Sequence, residues 1–474
     1  LAILAAAGLF VGGVGVPSAK AADLGGDCCA DLEERVAELE ATTARKGNRK
    51  MSLTISGQVH RMILWWDDGH DSDAFYGLDN TNSSSRFIFS GSAKVTSQVS
   101  TGFDIMVEIE AGGTSSKVSQ WNEDGAISAA SPLGNGVSFN AGNQDAYGGD
   151  WRWARWWIDH KDIGRLTVGR TESAGAVTTV DLAGIGLAAS GSMILVNGSF
   201  NIRNSDGDYL ALTWGALGDP ASNQGRTELI RYDSPTIAGF IASASIGEAG
   251  DYWGAMLRYA GEFSGVRIAA GIGYENVTDR PTSATVPGPD NLDGPRAEVD
   301  AWGGSLAALH VPSGLFAQGH YMAAEYTCNG GAASGYWGQF DCKKDSDQWL
   351  IQAGIVKNWT GLGNTAIYGE YGVSNGWGAS SSAATPKNYP LTAGGLIAVN
   401  GVTDSELTVW GVGIVQNIDA AATTLYLTAR HFSADVTCTG AGPVGDCQGA
   451  VGAPPTKLDT EDFLAVTAGA RVTF

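Results

Sequence analysis

The sequence predicts an all-β protein, a 16-stranded antiparallel transmembrane β-barrel with a short N-terminal periplasmic helix or coiled coil ahead of it. Three observations carry that reading. The final segment alternates: Leu464, Val466, Ala468, Ala470, Val472 and Phe474 share one parity, and Ala465, Thr467, Gly469, Arg471 and Thr473 the other. One face suits lipid and the other water. A strand of this kind that ends on an aromatic reads as the closing strand of a membrane barrel, because lipid tolerates no open sheet edge. Second, Gly supplies 67 of 474 residues, about twice the roughly 7% average; with 15 Trp and 14 Tyr, this fits a thin sheet between lipid and water better than a packed α/β interior. Third, short turns between the alternating segments alternate with connections most of which are long, as in outer-membrane barrels with short periplasmic turns and long external loops.

The elements follow in order. Leu1 to Val16 is apolar and leads into Pro17-Ser18-Ala19-Lys20-Ala21, an h-region with an Ala-x-Ala site, so residues 1–21 read as a secretory signal. No later stretch is long and apolar enough for a membrane helix. Residues 22–50 form a periplasmic N-terminal segment. Within it Leu32, Val36, Leu39 and Thr43 fall at a/d spacing, a short coiled-coil stripe. One and a half heptads do not hold alone, so the coil needs three copies gathered by something larger; a solvated helix or linker is the competing reading.

The barrel occupies 51–474. Its strands are expected in pairs joined by external loops: 52–66 with 84–97, 101–112 with 151–161, 164–173 with 225–233, and 238–248 with 251–261. The remaining pairs are 264–277 with 296–310, 313–327 with 346–358, 363–374 with 404–417, and 421–434 with 461–474. Turns such as Lys161-Asp162-Ile163-Gly164 and Val311-Pro312-Ser313-Gly314 separate the pairs. Phe87, Phe89, Ala93 and Val95 then face lipid while Arg86, Ser90, Ser92 and Lys94 face the lumen. Ile88 and Leu229 break the rule by facing inward, and Arg61 falls on the apolar parity of the first strand.

The formal charge is −21, which opposes nucleic acid as a partner because phosphate binding needs a basic face. Acidic loops among anionic outer-membrane lipid and lipopolysaccharide headgroups instead call for divalent cations as bridges. Cys328 with Cys342, and Cys438 with Cys447, are close pairs in exported loops and read as disulfides. Cys28 and Cys29 precede the coil stripe, where three chains would converge and interchain disulfides could form. There is no Cys-x-x-Cys.

Glu228 to Phe240, with its Arg231-Tyr232-Asp233-Ser234-Pro235 and Gly239-Phe240, resembles a hairpin of trimeric Gram-negative general porins. Leu53-Thr54-Ile55-Ser56-Gly57-Gln58-Val59 resembles the first strand of the alphaproteobacterial porin family, and Gly164-Arg165-Leu166-Thr167-Val168-Gly169-Arg170 the fifth. The resemblance covers about 52–474. It implies a homotrimer in the outer membrane of a Gram-negative bacterium, a water-filled pore for passive diffusion of small hydrophilic solutes and ions, and narrowing by the third external loop. The segment 28–46 departs from porins that start directly with the first strand.

A barrel of sixteen strands leaves an aqueous channel, so selectivity rests with whatever narrows it. The connection of about 172–224 is the expected constriction loop, and its Asp181 is expected to face Arg86, Arg155, Arg170 and Arg231 on the opposite wall, with Arg258 as a further member. Trp153 and Trp157 share the parity of Arg155. Gly184-Ile185-Gly186-Leu187-Ala188-Ala189 looks like a dinucleotide fingerprint but has no βαβ unit around it. The loops around Asp67 to Asp73 and around Asp206 and Asp208 are rich in oxygen ligands for calcium or magnesium without the EF-hand order; a solvated acidic loop is the competing reading. No cofactor is otherwise expected. The scattered His residues form no hydrolase constellation, so no enzyme is expected. Two other functions compete with the general pore: a structural protein tethering the outer membrane to peptidoglycan through residues 22–46, and a substrate-specific channel.

Overall fold

The alternation of side chains dictates the architecture. In the first strand Leu53, Ile55, Val59, Ile63 and Trp65 point outward and are exposed, whereas Gln58, His60, Met62, Leu64 and Trp66 point inward and are buried. Similar outward rows on the other strands leave Ile272, Leu306, Ile351 and Val412 each more than half exposed. An apolar belt of this extent is a lipid-facing surface.

The computed structural model describes residues 51–109, 113–116, 118–120, 149–175, 180–189, 191–194, 196–218, 226–247, 250–281, 296–329, 344–376, 396–397, 402–439 and 455–474. The expected signal, the Leu32, Val36 and Leu39 stripe, Cys28, Cys29, Cys342 and Cys447 lie outside the described residues, as does the side chain of Cys328. Cys438 is disulfide-bonded.

The sixteen barrel strands are β1 (Ser52–Asp67), β2 (Arg86–Lys94), β3 (Val99–Ile109), β4 (Gly149–His160), β5 (Gly164–Glu172), β6 (Arg226–Asp233), β7 (Phe240–Gly247) and β8 (Tyr252–Phe263). They continue as β9 (Val266–Pro281), β10 (Arg296–His310), β11 (Leu315–Asn329), β12 (Lys344–Lys357), β13 (Thr365–Asn375), β14 (Val402–Ile418), β15 (Thr423–Thr439) and β16 (Phe463–Thr473). Every boundary lies within five residues of the range expected from the sequence. Each strand pairs antiparallel with its neighbour in sequence. The β8–β9 turn is the tightest, with Ser264 and Gly265 both at positive φ, the backbone of a two-residue hairpin whose twist matches its strands.

Closure comes from β1. Its first half pairs with β2, and from Gln58 onward it pairs with β16, Gln58 opposite Thr473 and Asp67 opposite Leu464. Phe474 completes the seam: its N–H donates to the Gly57 carbonyl at 3.0 Å and its carbonyl accepts from the Gly57 N–H at 2.9 Å. Its ring covers Gly57, where a Cβ would collide with it, and meets Phe87 edge-on at 5.8 Å.

The misfits resolve. Ile88 and Leu229 do point inward, Ile88 opposite the buried Met106 and Leu229 within an internal apolar cluster with Tyr252, Val277 and Val299. Arg61 points outward beside a bulge at Gly77 in the flanking strand Ser72–Asp79, 3.8 Å from the Asp79 carboxylate.

Candidate functional site in the barrel lumen

The third external loop leaves β5 at Ser173 and turns into the barrel. Its backbone is held by wall side chains in sequence: the Ala174 N–H donates to Ser245 Oγ on β7, Val180 N–H to Ser305 Oγ on β10, and Leu182 N–H to Gln318 Oε1 on β11. Further along, Gln352 on β12 donates to the Ala189 carbonyl, Arg430 on β15 to that of Ser192, and Ser374 on β13 to that of Leu217. Each bond satisfies a loop group that would otherwise be buried without a partner.

Apolar side chains complete the anchorage. Ile185, Leu187, Met193, Phe200, Leu212 and Trp214 form one buried cluster with Leu64 and Trp66 of β1, Leu350, Leu407 and Val409 of β12 and β14, and Phe432 and Phe463 of β15 and β16. Burying a side chain of this size contributes about 1.5–3 kcal/mol, so the loop carries a core of its own inside a barrel. Beneath it Arg430 and Glu370 form a bidentate ion pair at 2.5 and 2.9 Å.

Asp181 shapes the inward turn. Its Oδ1 accepts from the N–H groups of Ala183 and Gly184 at 2.9 and 2.8 Å, and its Oδ2 from that of Gly186 at 2.6 Å. Gly184 has φ +77°. The glycine spacing that imitates a dinucleotide fingerprint is thus a turn cradling a carboxylate of its own chain, and Ile185 and Leu187 between and after the glycines are core residues.

The wall of β2 to β8 is different. Asp104 pairs with Arg155 at 3.2 Å, and Glu172 lies 3.4 Å from Arg155 and 3.2 Å from Arg226. Glu172 also accepts from Trp153 Nε1 at 2.6 Å. Asp233 takes a bidentate bond from Arg231 and another from Arg258 at 2.7 Å. Glu108 pairs with Arg152. Arg86, opposite Glu108 in the sheet, donates to the Ser84 carbonyl at 2.8 Å. The Arg155 guanidinium stacks on Trp153 at 4.1 Å and that of Arg165 on Trp157 at 4.4 Å. The side chains of Arg155 and Asp233 are 18% and 20% exposed, against 2% and 0% for Arg430 and Glu370 under the loop.

Arg86, Arg155 and Arg231 therefore share one inner wall, joined by Arg258. Arg170 does not: it lies opposite Ala154 and Glu228, on the parity of Leu166 and Val168, and donates to the Trp151 carbonyl at 2.7 Å on the outer surface. Near the external end of β5 a charge can meet headgroups there, so the lipid-facing parity tolerates it. Asp181 makes no ion pair with these arginines among the described residues, because backbone N–H groups hold both of its oxygens. Arg152 was not foreseen, since a bulge between Met106 and Val107 brings it to Glu108 against simple alternation. Arg226 and Glu172 carry the outer parity of Ile230 and Arg170, yet at the strand ends their side chains meet, and Glu172 reaches Trp153 and Arg155 of the inner wall.

At the external mouth Arg203 binds Asp68 at 2.8 Å and also Asp71. Burial pulls its guanidinium down, but the hydrogen bond and charge of Asp68 outweigh it and hold it above its ordinary value. Asp206 and Asp208 are exposed, and among the described residues no group of three or more His, Cys, Asp or Glu is arranged to hold a metal.

The solved anion-selective porin of Comamonas acidovorans is similar to this chain, at 16% identity and a TM-score of 0.50, over 90% of this chain and 100% of that one. The trimer form of Vibrio cholerae OmpT follows at 13% and 0.45, over 90% and 99%, and Salmonella typhi OmpF in complex with daunomycin at 12% and 0.44, over 90% and 98%. No curated protein sequence matches. A model of the Gram-negative porin family, by contrast, matches residues 5–437. With that match over a closed 16-stranded barrel, the chain belongs to the Gram-negative porins, outer-membrane channels rather than enzymes, through which small solutes diffuse passively.

Proposed function

We propose that solutes cross this porin between the third external loop and the arginine-bearing wall of β2 to β8, with residues 173–225 as the constriction. The contrast in exposure carries this reading: Arg155, Glu172, Asp233 and Arg258 on the β2 to β8 wall keep contact with solvent, while Glu370 and Arg430 beneath the loop have almost none. Charged rims of this kind orient dipolar solutes and disfavour apolar ones. The test is single-channel conductance in a planar bilayer, for the native chain and for a variant with 176–216 replaced by a short Gly-Ser turn. Stepwise ohmic conductance that rises several-fold in the variant is expected. Folded native protein without conductance would sink the pore path, and an unchanged step size would sink the constriction.

The outer surface favours a second reading, a homotrimer. Ring pairs Trp253–Tyr274, Trp302–Tyr321, Trp349–Tyr371 and Trp410–His431, at 5.0 to 5.6 Å, girdle β8 to β15. Aromatic belts belong where sheet meets lipid interface. The outward rows of β16 and β1 to β3, Trp65 apart, hold Leu, Val, Ile, Ala, Gly, Thr101 and Phe instead, with Arg61 among them. That face suits two further copies, with the Leu32, Val36 and Leu39 stripes meeting beneath them. Unheated gel mobility reports it: a trimer is expected with or without reductant, and a monomer in both would refute it.

A further inference from the structure

We propose that the channel favours small oxyanions, solutes bearing a carboxylate or phosphate group, which descend a file of arginines beside β5. The inference rests on the pore path above and adds the class of solute.

The file follows from the register of three strands. The inward residues of β5 are Thr171, Gly169, Thr167 and Arg165. The first three are small and leave the space above β5 to their neighbours. Arg226 stands opposite Glu172 at the external end, Arg155 opposite Gly169, Arg231 opposite Thr167, and Arg165 is itself the last step. The steps span residues 172 to 165, about 23 Å at roughly 3.3 Å per residue. Adjacent inward positions are about 7 Å apart, so an oxyanion can engage the next guanidinium before leaving the last. Arg231 links two levels, reaching from Asp233 to the carbonyls of Glu172 and Ser173 at 3.2 and 3.3 Å.

The acids on this wall anchor the arginines and are outnumbered by them. Asp104 pairs with Arg155 and Asp159 with Arg165, but Glu172 is shared between Arg155 and Arg226, and Asp233 between Arg231 and Arg258. Among the described residues Arg86 has no carboxylate within ion-pair distance, and it lies within electrostatic range of Glu108 and Asp79 as well as of Arg152 and Arg226. A guanidinium carries five N–H donors in a planar fork, so Arg155, bound among the described residues through Nε and Nη1, keeps donors for a passing anion, while Arg231, bound through all three nitrogens, contributes chiefly its charge. Facing this wall, the loop holds a single acid between Ser173 and Phe200, Asp181, and backbone N–H groups occupy both of its oxygens. The chain is strongly acidic as a whole, yet its narrow path is lined by excess positive charge. Acids at the external mouth are screened by salt within about 10 Å at 0.1 M, charges inside the lumen much less.

The test is the zero-current potential across a bilayer in a KCl gradient, together with block of the chloride current by added citrate. The native channel is expected to prefer chloride and to be blocked by citrate. Arg155→Gln with Arg231→Gln should shift the permeability ratio several-fold toward potassium and relieve the block, while Arg155→Lys with Arg231→Lys should keep the sign of selectivity. Heat-modifiable gel mobility shows which variants are folded. A native channel that prefers potassium and ignores citrate overturns the proposal, as does selectivity unmoved in the folded double Gln variant. Absence of any conductance from folded protein would instead sink the pore path on which it rests.

Discussion

Glu370 and Arg430 are charged, buried and indispensable to each other. Removing one partner of a buried pair typically costs about 3–5 kcal/mol, because the other charge is left unpaired. Arg430→Met should therefore lower the temperature at which the barrel unfolds on heated gels, and adding Glu370→Gln should recover much of the loss. Gly102 shows the reverse constraint. The Trp157 ring lies over it on the inner wall, so that a side chain there would overlap the ring. Gly102→Leu should push Trp157 off Arg165 and into the lumen, lowering single-channel conductance while the barrel still folds; unchanged conductance would show that Trp157 lies outside the path. At this scale the sequence was readable where alternation held, as for Arg155 and Arg231. It misled for Arg170, whose neighbours Leu166 and Val168 mark the outer parity. It was silent for Arg152, because a bulge moves a side chain to the other face without leaving a trace in composition.

The strands could be read from the sequence because lipid on one side and water on the other impose a period of two on every one of them. The interior of the third loop could not. The connection of about 172–224 is expected to narrow the pore with its acids, whereas Ile185, Leu187, Met193, Phe200 and Trp214 make it a small core. The signal was present as apolar residues in a connection, but such residues have no period when they follow the curve of a wall. Phe474 belongs to this scale as the last link of β16. Phe474→Ala should leave Gly57 uncovered and remove the contact with Phe87, lowering the yield of heat-modifiable barrel in refolding from urea; an unchanged yield would show that backbone pairing alone closes the seam.

Across the whole molecule, hairpins pair neighbours and form at little entropic expense, while one junction joins the first and last strands of the barrel. Phe200 sits on the inside of that junction, with its ring 5.4 Å from Trp66 of β1 and 4.9 Å from Phe463 of β16. The third loop thus acts on time as well as on space. Contacts between distant parts of a chain form late, and here the last strands to meet are gripped by a segment that must already be inside when they do. The loop becomes a clasp that sets the order of assembly, its descent into the cavity preceding the sealing of the cylinder. Phe200→Ala should slow the final refolding phase and speed amide exchange along β1 and β16 while hairpins such as β10–β11 exchange as before. A uniform change over all strands would mean that the seam has no separate step.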